Sequence, residues 1–260
     1  MSERDAALVV PCHDEALRLD VDALARLVDG SGVALIVVDD GSTDGTLGQL
    51  RTLAARAPDA ITVIGRPANA GKGEAVRAGM LVALDAGSPL VGYFDADLAA
   101  PPAEIARLVG IARDRPDLDV VLGSRVGLLG HRIRRSPGRH YLGRVFATAS
   151  SLVLGLQVYD TQCGAKVFRA TPALRAALGE PFRSRWAFDV ELLFRLTRRN
   201  GDIEPITADA MLEVPLDEWS DVGGSKLGPR DAIRAAVDLA RLGVERLRPQ
   251  PEPVDSTGNS

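Results

Sequence analysis

Residues 33–46 read "VALIVVDDGSTDGT": six apolar residues, two adjacent carboxylates, and a glycine-containing turn ahead of a helical pattern. A short run rich in Val and Ile reads as a buried strand, and Asp-Gly followed by Ser-Thr is turn and helix-start chemistry. Two carboxylates at the end of a buried strand are nonetheless expensive to desolvate unless they are paired, hydrogen-bonded or open to a ligand. The end of this strand is therefore a candidate binding rim.

Working outward, short apolar runs at 6–10, 60–64, 90–94 and 118–122 alternate with helical patterns at 21–29, 43–56, 73–86 and 102–113. That alternation predicts an α/β fold of Rossmann-like type, a mostly parallel sheet with helices on both faces, whose ligands sit at the carboxyl ends of the strands. The rhythm breaks after residue 123, where a glycine- and arginine-rich segment precedes expected helices near 141–155, 172–179 and 187–199 and short strands near 203–207 and 210–214.

Composition narrows the function classes. Lys and Arg total 31 against 35 Asp and Glu, a net charge of −4 that gives no basis for nucleic-acid binding by bulk charge. Two cysteines, Cys12 and Cys163, are too few for a disulfide framework and suit a reducing cytoplasm. The N-terminus starts polar, without a signal-peptide pattern, and no apolar run approaches the roughly 20 residues needed to span a bilayer. The expected location is the cytoplasm, with peripheral contact on the inner face of the membrane left open.

Three strands end in functional-looking groups: Pro11, His13 and Glu15 follow the first, Asp39 and Asp40 the second, Asp95 and Asp97 the fourth. In an extended chain Asp95 and Asp97 point to the same side, so they can converge on a hard cation such as Mg2+ or Mn2+ that stabilises a departing diphosphate. Asp189 lies in a helical pattern with Trp186, Phe188, Leu192 and Leu193. Apolar neighbours raise a carboxylate's pKa toward that of a general base, which a hydroxyl acceptor would require and a phosphate acceptor, already ionised, would not. Between Val120 and Tyr159 there is no Asp or Glu, yet Arg125, Arg132, Arg134, Arg135, Arg139 and Arg144 fall there, a pattern suited to a phosphate-bearing or lipid-phosphate acceptor.

The ordered set "VVPCHDE", "VVDDGSTDGT", "NAGKGEAVRAGM", "FDADLAAPPAEI", "DTQCGAKVFR" and "RWAFDVELLFRL" resembles family 2 glycosyltransferases of the GT-A fold, most of all the dolichyl-phosphate glucosyltransferase and polyprenyl-phosphate mannosyltransferase branch. The resemblance spans residues 6–228 and implies a catalytic domain over 1–228, with a nucleotide-sugar half at 6–123 and an acceptor half at 124–228. An amphipathic helix at 229–247 and a proline-rich tail at 248–260, expected to be disordered, complete the chain.

By resemblance, Asp39 and Asp40 hold the uracil and ribose of the donor, with Pro11 and Glu15 as the other wall and His13 beside them. Lys72, Arg185, Ser225 and Lys226 grip the diphosphate; Asp95 and Asp97 bind the metal, with Gln162 as an added ligand. Arg125, Arg132, Arg135, Arg139 and Trp186 are the acceptor-side candidates, and Asp189 and Asp97 the catalytic ones.

The implied reaction is an inverting transfer of a hexose, glucose by resemblance, from a nucleoside diphosphate sugar such as UDP-glucose to polyprenyl phosphate. Many relatives in this branch carry transmembrane segments that this sequence lacks, so a soluble glycosyltransferase acting on a small-molecule hydroxyl is the alternative. A non-catalytic nucleotide-sugar-binding protein is the alternative of another class. A sugar-1-phosphate nucleotidyltransferase would open with a glycine-rich loop, and "ALVVPCHDEALRL" has none.

Overall fold

The computed structural model describes residues 4–29, 31–134, 137–221 and 229–247. Its first half follows the alternation: β1 (Ala6–Cys12), α1 (Val21–Val28), β2 (Val33–Asp39), α2 (Thr46–Arg56), β3 (Ile61–Gly65), α3 (Lys72–Asp85), β4 (Leu90–Phe94), α4 (Pro102–Asp114) and β5 (Val120–Ser124). Then come β6 (Arg132–Arg134), α5 (Pro137–Leu154), β7 (Ala165–Arg169), α6 (Pro172–Ala177), α7 (Phe188–Leu196), β8 (Met211–Pro215), β9 (Glu218–Ser220) and α8 (Pro229–Arg246).

Seven strands form the main sheet in the order β3-β2-β1-β4-β7-β5-β8, and β6 pairs with β9 beside it. All neighbours in the main sheet are parallel except β7, which runs antiparallel between β4 and β5. The strands are apolar on both faces because helices cover both. On one face α1, α2 and α4 seal a core of residues such as Leu24, Leu50, Leu108, Val10 and Val37. On the other, α3, α6, α7 and α8 pack Met80, Leu174, Leu193 and Leu239 against Val9, Val38 and Phe168. Local chemistry starts several helices: Asp20 accepts from Ala23 N (2.9 Å) to cap α1, Thr171 caps α6 with Pro172 at its first turn, and Pro101-Pro102 opens α4.

The expected sheet stands, with three local corrections. The helix expected from residue 43 starts at Thr46, because the side chains of Ser42, Thr43 and Asp44 are drawn into contacts with the loop after β1. The strand expected near 203–207 is replaced by one bridge between Asn200 and Ile203; Pro205 lacks the N–H a ladder needs. Within "DTQCGAKVFR", β7 enters the sheet as an antiparallel strand that helical and strand periodicity did not separate from its flanks. The C-terminal amphipathic helix packs against α5 through Leu239 and Leu242, and Arg246 caps α5 by donating to the carbonyls of Leu152 (2.9 Å) and Val153 (2.8 Å). Among the described residues no helix is long and apolar enough to cross a membrane.

Candidate active site

The carboxyl ends of β1, β2 and β4 lie side by side, since Cys12 registers with Asp39 across the first pair and Val9 with Tyr93 across the second. The "GSTDGT" turn clasps the loop after β1. Asp14 N donates to Ser42 Oγ (3.0 Å), Thr43 N to Asp14 Oδ1 (2.8 Å), Glu15 N to Thr46 Oγ1 (2.8 Å) and Ala16 N to Asp44 Oδ2 (3.1 Å). Asp14 takes a left-handed backbone (φ 50°) to make these contacts. Pro11 is buried at the base of this loop, His13 Nε2 lies 3.5 Å from Asp14 Oδ2, and Glu15 pairs with Arg18 at 2.7 Å.

The two adjacent carboxylates do different work. Asp40 accepts from Arg66 Nη1 (2.8 Å), Ala70 N (3.1 Å) and Gly71 N (2.7 Å), and so folds residues 66–71 back over the rim and sets the start of α3. Gly41 permits that fold: its φ is 66°, and a Cβ there would lie 2.6 Å from the Ala68 carbonyl carbon. Asp39, only 2% exposed, accepts from Ser42 N at 3.2 Å through Oδ2, while its buried Oδ1 has no partner among the described residues. An unsatisfied buried carboxylate oxygen at a strand end fits a ligand N–H or hydroxyl.

Lys72, the first residue of α3, forms an ion pair with Asp95 Oδ1, at the end of β4. Asp95 N donates to Gly164 O (3.0 Å), and a Cβ at position 164 would sit within 2.6 Å of the Asp95 carboxylate atoms, so this glycine is the cradle that seats Asp95. Asp97 accepts from Ala99 N at 3.1 Å. Burial, and then the negative charge of Asp95, push the Asp97 carboxyl up, with Lys72 among the groups pulling the other way. Two carboxylates two residues apart, one already drawing an ammonium, form an oxygen donor set that fits a hard divalent cation. Among the described residues no third His, Cys, Asp or Glu joins them, which leaves further positions to oxygen from amide, water or phosphate.

Arg185 reaches the same corner, donating to Asn69 Oδ1 and lying against Gly71. Gln162 donates to Trp186 O at 3.1 Å, tying the "DTQCG" loop to the segment that precedes α7. Glu191 holds the segment carrying Arg185 and Trp186 by accepting from Arg183 N and Ser184 N (both 3.0 Å), and it pairs with Arg195 at 2.7 Å.

Asp189 is buried, but its surroundings are not the apolar ones expected of it. Its Oδ1 receives the Tyr93 hydroxyl and lies 2.6 Å from the fully buried Lys166 Nζ, which also donates to Cys163 O. Burial, then the charge of Asp189, hold the Tyr93 phenol well above its ordinary pKa, so it stays a donor. Lys166 is the functional-looking residue that sequence reading missed. Its readable signal was a lysine inside the apolar strand pattern "AKVF", which must find a buried acid.

Two arginines of the window pair with acids. Arg125 makes a bidentate pair with Asp160 (2.6 and 2.7 Å), and Arg132 meets Glu218 at 2.6 Å. Arg135, Ser225 and Lys226 lie outside the described residues, as does the side chain of Arg139.

A parallel α/β sheet with an open carboxylate at one strand end, paired carboxylates at another and a lysine at a helix N-terminus between them defines a nucleotide-sugar transferase of the GT-A fold. The chain belongs to glycosyl transferase family 2, whose sequence model matches residues 7–174. It is 32% identical over 256 residues to a dolichyl-phosphate beta-glucosyltransferase from Trichomonas vaginalis, covering 94% of this chain and 72% of that one. A polyprenol monophosphomannose synthase from Mycolicibacterium smegmatis is 28% identical, covering 82% of this chain and 77% of its own. Among solved structures, glucosyl-3-phosphoglycerate synthase from Mycobacterium tuberculosis, in complex with Mn2+, UDP and glucosyl-3-phosphoglycerate, superposes with a TM-score of 0.65. That match covers 94% of this chain and 80% of the other at 22% identity, a likeness of fold.

Proposed function

We propose that this chain transfers glucose from UDP-glucose to polyprenyl phosphate with inversion at the anomeric carbon. Asp39 Oδ1 accepts a hydrogen bond from the uracil ring, Asp40 holds the ribose side through the loop it organises, and Pro11, His13 and Glu15 form the facing wall. Lys72 and Arg185 take the diphosphate, the former at a helix N-terminus where the dipole also favours negative charge. Asp95 and Asp97, with Gln162 alongside, are the residues that would hold Mg2+ or Mn2+. When bound, that ion supplies positive charge to the leaving diphosphate.

An acceptor phosphate oxygen forms its bond to the anomeric carbon from the face opposite the diphosphate. The anomeric C–O bond breaks as it does so, and the electron pair leaves on the β-phosphate oxygen of UDP.

The observation that carries the acceptor class is the buried Tyr93–Asp189–Lys166 cluster. A carboxylate neutralised by a lysine and a phenol is a positioning group for the acceptor side more than a proton acceptor. A phosphate monoester, with a second pKa of about 6, is mostly a dianion at neutral pH and needs no base. Contact with the membrane is peripheral in this reading, through exposed apolar residues such as Leu129, Val145 and Leu152.

The test is nucleoside diphosphate release with UDP-glucose, GDP-mannose or UDP-N-acetylglucosamine, each with and without a short polyprenyl phosphate. Release that requires both UDP-glucose and the lipid phosphate is expected. Release driven by a hydroxyl acceptor, or donor binding with no lipid-dependent turnover, would overturn the proposal.

A further inference from the structure

The ammonium of Lys72 stands among the same carboxylates that are assigned to a divalent ion. It pairs with Asp95 Oδ1, and the side chains of both residues are partly exposed. Desolvation works against its charge, yet the negative charges of Asp95, then Asp189 and Asp97, outweigh it and hold the Lys72 pKa above its ordinary value. Lys72 acts in turn on Asp97, against the burial and the Asp95 charge that push that carboxyl up. A divalent ion on Asp95 Oδ1 and the Lys72 pair are therefore alternatives, because one oxygen would otherwise hold two cations in contact.

The two partners are held differently. Asp95 is seated by its own N–H on Gly164 O (3.0 Å) and by the space that Gly164 leaves for its carboxylate. The first turn of α3 is fixed as well: Gly71 N donates to the buried Asp40 (2.7 Å), and Gly73 packs so closely that an added Cβ would lie 2.7 Å from Phe188 Cβ. What can move is the four-carbon stem of Lys72, whose Nζ lies 5.8 Å from the Phe188 ring centroid. Rotation of that stem alone carries the ammonium from Asp95 to an anion at the start of α3, where the helix dipole favours negative charge.

We propose that Lys72 is an exchangeable counterion that positions Asp95: its ammonium holds the carboxylate until a divalent ion takes Asp95 and the diphosphate of the donor takes the ammonium. Either ligand alone must break the Lys72–Asp95 pair and leave one half of it without a partner; the two together give both halves a new one. Metal and diphosphate then bind weakly apart and strongly together, and by linkage the coupling acts equally on each. This rests on the reading of Asp95 and Asp97 as the metal end of the donor site, and not on the identity of the sugar or the acceptor.

Mn2+ binding to the full chain is measured from the paramagnetic resonance signal of the free ion, with and without UDP, and UDP binding by calorimetry, with and without Mn2+. The wild type, Lys72→Met, Lys72→Arg and Arg185→Gln are compared, with melting temperatures to confirm that each is folded. Lys72→Met is expected to bind Mn2+ alone about fivefold tighter than the wild type, since a competitor has gone, while the gain in Mn2+ affinity that UDP brings falls about tenfold. Lys72→Arg keeps a cation on Asp95 and should bind Mn2+ alone no tighter than the wild type. Arg185→Gln removes a cation of the same corner that donates to Asn69, and should weaken UDP with Mn2+ affinity in its absence unchanged.

Mn2+ affinity that is unchanged or weaker in Lys72→Met, or that tightens equally in Arg185→Gln, overturns the exchange and leaves the metal reading standing. A wild type that binds no Mn2+ even with UDP present overturns both. Tighter Mn2+ binding in Lys72→Met with the UDP coupling kept at the wild-type level overturns the transfer of the ammonium to the diphosphate.

Discussion

Gly164→Ala is the substitution with the most to say about the reaction corner. An added Cβ would lie within 2.6 Å of all three Asp95 carboxylate atoms, whereas ordinary contact begins at 3.4 Å, and the nearest oxygen lies closer still, so the carboxylate must move by more than about 1 Å. Gly164 is not held at positive φ, so alanine brings no backbone strain of its own, and the displacement falls on Asp95 and its pair with Lys72. A misplacement of about 1 Å at a reacting centre costs on the order of 100-fold in rate. UDP release from UDP-glucose is the assay, run across a Mn2+ titration, after chelation, with melting temperature recorded in parallel.

The expected result is a rate loss of about 100-fold, partly recovered at high Mn2+, with UDP affinity in the absence of metal little changed. Gly110→Ala serves as the control. That glycine is in α4 with nothing within 4 Å of an added Cβ, and the change should leave the rate alone and stabilise the helix by roughly 0.5–1 kcal/mol. A Gly164→Ala protein with wild-type rate and wild-type metal dependence would refute the assignment of Asp95 to the metal and diphosphate end of the site.

Two further outcomes follow from buried groups. Lys166→Met leaves Asp189 buried with only Tyr93 as partner, and breaking such a pair costs about 3–5 kcal/mol in urea unfolding; adding Asp189→Asn should restore part of it, and a loss below about 1 kcal/mol would show that the pair is not what holds this core together. Burial pushes the Cys163 thiol up to about 12 from an ordinary 9.0 and raises Cys12 as well, so neither should react with a thiol reagent at pH 8 until the protein unfolds. Above pH 9 the unfolded chain releases thiol protons that the native one keeps, so stability should fall as pH rises from 9 toward 12, by up to about 1.4 kcal/mol per pH unit per thiol; a flat profile there would count against the burial.

How much of this was legible in the sequence depends on how far apart the partners lie. The α/β architecture and the rim were readable because they depend on local period and on where apolar runs stop: "VALIVVDD" ends where Cys12 and Asp39 come into register, and "VGYF" ends at Asp95. The separate duties of Asp39 and Asp40 were not, since adjacent acids look alike in sequence and differ only in that residues 66–71 return to bond Asp40. Asp189 likewise sat among apolar letters, and its lysine partner arrives from β7, a strand inserted antiparallel between β4 and β5.

The arginine window shows the same limit from the side of charge. Counting residues makes six arginines without a local acid equivalent, whereas folding supplies Asp160 to Arg125 across 35 residues and Glu218 to Arg132 from a neighbouring strand. Arg144 instead lies over the Tyr159 ring and donates to Tyr159 O, with no carboxylate partner among the described residues. A cluster of like charges in an acidic chain does not itself mark a phosphate site.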